Sequence, residues 1–181
     1  MEIDLIVRAR QGDTVAYSRI ANQVADRFLA VARRILRDPA LAEDATQQAL
    51  LSLWRDLPRL RDPARFEAWS YRLLVRACYA EARSRRLWRD EVRLSLFDRA
   101  AGEDGIAAVV ARDELERGFR RLSLDHRTVV VLHHFLDLPL ERVAEIVGIP
   151  TGTAHSRLHH AMRGLRAALD ADARIPLKET T

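Results

Sequence analysis

Cysteine is almost missing from this chain: Cys78 stands alone among 181 residues. An internal disulfide and a cysteine-based zinc site are both excluded, and with them a disulfide-stapled secreted domain. Lysine is as scarce, Lys178 being the single one, so nearly all 30 basic side chains are arginine. Arginine suits bidentate contacts to phosphate, although a GC-rich genome biases composition the same way. Seven glycines and six prolines leave no room for a collagen-like, low-complexity or turn-rich all-β architecture. No apolar run approaches the roughly 20 residues of a membrane span. The acidic start, Met1-Glu2-Ile3-Asp4, has none of the marks of a targeting segment. The expectation is a cytoplasmic protein with no direct membrane insertion.

What is present is ordinary for a globular chain: 48% hydrophobic and 31% charged residues, with a net charge of +4. The charge is uneven. Residues 1–90 carry +5, residues 91–111 carry −2 and residues 112–181 carry +1. The middle stretch contains Gly102-Glu103-Asp104-Gly105 and lacks a long helical pattern, so it reads as a linker. The division expected is a domain at 1–90, a flexible linker at 91–111, a domain at 112–171 and a tail at 172–181.

Apolar spacing is helical nearly throughout, which predicts an all-α fold of two small domains. A short helix over about 3–10 ends before Gly12, and a second runs from near Asp13 to about Leu36. Asp38-Pro39 and Asp62-Pro63 each place a capping carboxylate before a proline suited to the first helical turn. The first opens a helix with Leu41, Ala45, Ala49, Leu50, Leu53 and Leu57 inward, ended by Pro58. The second opens one with Phe66, Trp69, Leu73, Ala77 and Ala80 inward. Further helices are expected over about 109–121, 125–136, 139–147 and 151–170. The β-branched run Thr128–Leu132 is assigned to helix by its context.

Two features carry chemistry. Along the helix from Pro63 to about Leu87, Arg65, Arg72, Arg76, Tyr79, Arg83 and Arg86 form one stripe. Glu81 is the only acid between Glu67 and Leu87. Like charges at these spacings repel by a few tenths of a kcal/mol per pair, and a merely solvated face normally intersperses acids. The stripe points to a phosphate-tracking surface, with Tyr71, Tyr79 and Trp88 for base stacking. The second feature is Leu140 to Ala154, a short helix, a Gly148 turn and a second helix with Ala154, Leu158, Ala161 and Leu165 inward. Its outward Thr153, Ser156, Arg157, His160 and Arg163 are types that contact phosphates or base edges, as a helix-turn-helix requires. A plain αα-hairpin is the alternative.

Other chemistry is poorly supplied. His155 and His159 have metal-ligand spacing, but no cysteine or acid completes a set of three or four, so no metal site is expected. Cys78 reads as a half-buried structural thiol. No phosphate-binding glycine loop, nucleophile elbow or HExxH occurs, so no catalytic residues are assigned and an enzyme is not expected.

The segment Ala42-Glu43-Asp44-Ala45-Thr46-Gln47-Gln48-Ala49-Leu50-Leu51-Ser52-Leu53-Trp54 resembles the polymerase-binding helix of bacterial sigma factors of the extracytoplasmic-function group. Phe66-Glu67-Ala68-Trp69-Ser70-Tyr71-Arg72-Leu73 and the arginines after it resemble that family's promoter-melting helix. Ile149-Pro150-Thr151-Gly152-Thr153-Ala154-His155-Ser156-Arg157-Leu158-His159 resembles its −35 recognition helix. Three motifs in order cover nearly the whole chain.

The resemblance implies core RNA polymerase and promoter DNA as partners, an anti-sigma factor as inhibitor, often membrane-anchored, and no cofactor. It implies that Glu43, Asp44, Gln47 and Gln48 dock on polymerase. The loop Pro58–Asp62, with Arg59 and Arg61, would receive a flipped −10 base, and Arg65, Arg72, Arg76, Tyr79, Arg83 and Arg86 would follow the melted strand. Thr153, His155, Ser156, Arg157, His160 and Arg163 would read the −35 element. The chain departs from the family pattern in carrying Arg76, Ala80, Gln48, Ala154, His155 and His160. A stand-alone helix-turn-helix regulator is the rival function, though it would need a dimerisation or ligand domain.

Overall fold

The computed structural model describes residues 2–95, 118–119 and 121–172. Those residues are helical and contain no strand. The linker at 96–111, the start of the expected 109–121 helix and the tail beyond 172 lie outside them.

Helix α1 (Ile3–Arg10) is followed by a turn in which Gly12 takes φ +94°, a conformation open to glycine at little cost. Asp13 caps α2 (Thr14–Leu36), accepting from the backbone N–H groups of Val15 and Ala16 while pairing with Arg8 at 2.7 Å. The Ala16 N–H first, and Arg8 next, hold its carboxyl below the ordinary value. Asp38 caps α3 (Pro39–Asp56) through the Leu41 N–H. A 3₁₀ turn at Leu57–Arg59 and another at Pro63–Arg65, capped by Asp62, lead into α4 (Phe66–Ser95). Backbone helix therefore occupies residues 91–95, which the sequence reading gave to the linker.

Helix α5 (Leu124–Val130) is capped by Ser123 and continues as a π-helical turn, Val131–Phe135. The run Thr128–Leu132 is helical, as its context required. After the turn, His133 Nδ1 lies 2.7 Å from the Leu138 carbonyl oxygen. Then come α6 (Leu140–Val147) and α7 (Thr151–Asp172), joined through Gly148 at φ +79°. That left-handed glycine is the helix-turn-helix corner expected from sequence. Ala144, Ala154 and Ala161 are buried where the helices cross.

Buried side chains are continuous from α1 through α4 into α5, α6 and the start of α7. Phe28, Ile20, Ile35, Leu53 and Leu74 are fully buried in the first half, and Leu132, Val143 and Ile146 in the second. Each such side chain contributes about 1.5–3 kcal/mol. The two halves are thus packed on each other, a closeness that a reading of two linked domains did not anticipate.

Helix α4 corrects three details. Ala80, expected inward, is exposed. Tyr71, expected to stack on bases, is 3% exposed, with its ring 5.8 Å from that of Phe28. Cys78 is fully buried rather than half-buried, and burial pushes its thiol up to about 12. The burial of Tyr71 and Cys78 follows from α4 lying between α2 and α3 on one side and α6 on the other. Leu73, Leu74, Val75 and Cys78 are consecutively or nearly consecutively buried, so a single inward stripe underestimates its buried arc.

Candidate nucleic-acid interface

Three surfaces carry the residues singled out by sequence. On α3, Glu43, Asp44, Gln47 and Gln48 are all exposed, because Ala42, Ala45, Thr46 and Ala49 take the buried side. Glu43 is paired with Arg33 of α2 at 3.2 Å. The next turns of the same helix carry Leu51, 55% exposed, and Trp54, 43% exposed. Trp54 stands edge-on to Tyr17 at 4.6 Å, and the Tyr17 hydroxyl donates to the Leu50 carbonyl. The polar patch therefore continues into an apolar one. Sequence reasoning left this extension out of the site, although Leu51 and Trp54 follow Gln47 and Gln48 at helical spacing.

The arginine stripe divides into two parts. Arg76, Arg83 and Arg86 are exposed and have no acidic partner among the described residues. Arg59 is likewise exposed beside the loop. By contrast, Arg61, Arg65, Trp69 and Arg72 line a cleft of about 500 Å³ that Glu145 of α6 closes on one side. The Glu145 carboxylate lies 3.7 Å from Arg65 and 3.9 Å from Arg72, and Arg72 donates to the Glu145 carbonyl at 2.8 Å. Arg142 holds the same carboxylate at 2.7 Å. Arg72 Nε is buried with no hydrogen-bond partner.

Tyr79 is turned toward the second half, its hydroxyl donating to Asp125 at 2.7 Å. Burial pushes this phenol up to about 12. The other Asp125 oxygen takes Arg157 of α7 at 2.6 Å, leaving the Arg157 side chain only 24% exposed. His155, Ser156, His160 and Arg163 are exposed on α7, whereas Thr153 is half-buried. Arg163 Nη2 and His160 Nδ1 are 3.5 Å apart, and the His126 and His160 rings stack at 6.5 Å. Among the described residues, no group of three or more His, Cys, Asp or Glu is arranged to hold a metal ion.

Between the end of α2 and α5–α7 runs a groove of about 810 Å³, with Val130, Met162 and Leu165 along its floor and Arg33 and Arg34 along its rim. Arg34 lies over the Phe135 ring at 3.7 Å.

Residues 20–87 match the family model Sigma-70 region 2, and residues 112–165 match Sigma-70, region 4. The sigma factor SigL of Mycobacterium tuberculosis is 32% identical over 142 residues, covering 76% of this chain and 80% of that one. This chain belongs to the extracytoplasmic-function sigma factors. Two further relatives are similar over more of their length. The sigma-H factor of Pseudomonas aeruginosa is 26% identical, covering 91% of this chain and 92% of its own. SigW of Bacillus subtilis is 25% identical, covering 91% and 94%.

Solved structures agree on the fold. CnrH in complex with the cytosolic domain of CnrY superposes with a TM-score of 0.67 at 23% identity, over 94% of this chain and 97% of that one. RpoE of Bartonella quintana, in complex with the anti-sigma factor NepR, gives 0.69 at 21% identity over 86% and 98%. The region 2 match contains α3 and the whole arginine stripe of this sigma factor. The region 4 match contains its helix-turn-helix.

Proposed function

We propose that this sigma factor binds core RNA polymerase and directs promoter-specific initiation by reading a −10 and a −35 element. The observation that carries this reading is the exposed face of α3 beside the stripe of α4. A polar patch flanked by bare Leu51 and Trp54 suits a protein partner, while an arginine row without interspersed acids suits a phosphate backbone. A stand-alone regulator has no use for the first.

Glu43, Asp44, Gln47 and Gln48 make the polar contacts to polymerase, and Leu51 and Trp54 add apolar area. Arg59 and Arg61 flank the loop that takes up a −10 base, and Arg65, Arg72, Arg76, Tyr79, Arg83 and Arg86 follow the melted strand. Thr153, His155, Ser156, Arg157, His160 and Arg163 address the −35 element, with Arg157 the best placed by type to bond a guanine edge. Residues 1–90 and 112–171 act as the two reading units. No chemistry is catalysed by the chain itself. It works in the cytoplasm, where no helix among the described residues is long and apolar enough to cross a membrane. An anti-sigma factor restrains it, and the basic-rimmed apolar groove between the halves offers such a partner a seat.

Reconstitution tests the reading. With core polymerase added to genomic templates, transcripts should start at a shared set of 5′ ends that core polymerase alone does not use. Operator binding without core, coupled to no initiation, would instead make the chain a stand-alone regulator.

A further inference from the structure

Three of the six histidines gather on one surface of the second half. His126 lies in the first turn of α5, where its backbone N–H donates to the Ser123 hydroxyl at 3.3 Å. Its ring stands 6.5 Å from that of His160 on α7, 28° from parallel. His159 meets His160 edge-on at 5.7 Å, and Arg163 Nη2 lies 3.5 Å from His160 Nδ1. His160 and Arg163 are exposed and His126 is half-buried. The nearest acid is already engaged: the two oxygens of Asp125 take the Tyr79 hydroxyl of α4 and Arg157 of α7. His155, on α7 one turn before His159, is the remaining titratable neighbour. These histidines do not make up a metal set.

We propose that His126, His160 and Arg163 form a proton-dependent site for a DNA backbone phosphate at the edge of the −35-reading surface. The proposal deepens the sigma-factor reading and rests on it. Ser156, His160 and Arg163 follow one another at steps of four and three, so they share one exposed face of α7. His126 carries that face across onto α5, a helix to which no DNA-reading residue was assigned. Arg163 is charged at every working pH, whereas an imidazole gives a positive charge and two N–H donors only when protonated. With both rings protonated, three cationic donors converge from two packed helices on one phosphate, by charge-assisted hydrogen bonds. A bound phosphate in turn favours the protonated rings, so DNA binding and proton uptake strengthen each other. Acidification therefore tightens the grip, and in alkali Arg163 alone remains.

Glutamine variants test the site, since glutamine keeps polar bulk and takes up no proton. Holoenzyme assembled from core polymerase and the full chain is titrated by anisotropy against a fluorescent duplex. That duplex carries the upstream sequence shared by the transcripts of the reconstituted enzyme. From about pH 7.5 to about pH 6, wild-type affinity should rise about tenfold. The log–log salt slope should steepen by about one unit over the same range. His126→Gln/His160→Gln should lose most of both changes, and His126→Gln alone should lose part of them. A double variant that keeps more than half of the gain overturns the site. So does a His126→Gln that keeps all of it, because the response then belongs to α7 alone.

A second measurement needs no variant to fold. The full chain alone, in mildly acidic solution, is titrated with inorganic phosphate while the histidine ring protons are followed by NMR. The His126 and His160 resonances should move together, and Arg163→Gln should blunt both. Rings that do not respond to phosphate overturn the proposal whatever the holoenzyme does. Initiation with core polymerase is assayed alongside. Wild-type initiation without the acid-dependent gain removes the phosphate site and leaves the sigma-factor reading standing, whereas absence of initiation removes that reading itself.

Discussion

Helices α3 and α4 are neighbours in one core, yet their outer faces are in opposite situations. The α3 face is bare: Glu43, Asp44, Gln47, Gln48, Leu51 and Trp54 all point to solvent. The α4 face is bare at Arg76, Arg83 and Arg86, as is Arg65 just before the helix, whereas α6 and α5 cover Arg72 and Tyr79. The surface proposed for a protein partner is thus presented ready-made, while the one proposed for DNA is partly engaged by the chain's own acids.

The comparison depends on a shared foundation, and breaking that has the largest effect. Phe28 is fully buried under α4, against Tyr71. Phe28→Ala should cost about 3–5 kcal/mol, read as a marked fall in the thermal midpoint. Both faces should fail together, polymerase binding and DNA binding alike. Loss of one with retention of the other would mean that the two faces do not share this core.

Charge reversal on the bare face should separate the functions instead. Asp44→Arg leaves the fold intact because the residue is exposed, so its thermal midpoint should stay near wild type. Affinity for core polymerase should fall more than tenfold, an interfacial like charge costing about 2 kcal/mol or more. Trp54→Ala should weaken the same binding by about 1–2 kcal/mol, and neither variant should alter duplex binding. A titration with labelled core enzyme measures both.

How much of this was legible in the sequence depends on range. Caps and corners are local, so Asp38-Pro39, Asp62-Pro63 and Gly148 announced their turns correctly. The exposure of the α3 patch was legible too, since Ala42, Ala45 and Ala49 recur at helical spacing on the opposite side. What periodicity could not deliver was the α4 register. Tyr71 was taken for surface because α4 is gripped from two sides, one of them by a segment seventy-three residues away in the Arg72–Glu145 contact, and Ala80 was taken for core because a single inward stripe was carried one turn too far. Nothing about Asp125 or Glu145 in sequence distinguishes them from ordinary first-turn or solvent-facing acids. Their contacts to Tyr79, Arg65 and Arg72 exist only where the halves meet.

Within the stripe, the bare and covered parts should respond differently to salt. Arg76→Ala should lower the log–log salt slope of promoter binding by about one unit, the loss of one phosphate contact. Arg65→Ala should show a smaller net change in affinity, because it removes a DNA contact and the competing contact to Glu145 together. Equal losses at both positions, in titrations across salt concentration, would mean that Glu145 has no competing hold.

The smallest effect is spectroscopic, and it reports the covered part directly. The chain has three tyrosines, and burial raises the phenol of every one, Tyr71 and Tyr79 to about 12. A group whose folded value lies above its unfolded one stabilises the folded state below the unfolded value. That stabilisation is lost as pH rises through the folded value. For Tyr79 the burying surface includes the second half, so the packing of the halves is favoured below about 10 and progressively disfavoured between about 10 and 12. Phenolate absorbance followed through this range should therefore show late titration in the wild type. In Asp125→Asn/Glu145→Gln, one tyrosine should shift back toward the ordinary value near 10, and adding Tyr79→Phe should abolish that shifted component. Were the early component to survive Tyr79→Phe, the exposed tyrosine would be another one, and the cover of Tyr79 would not depend on Asp125 and Glu145.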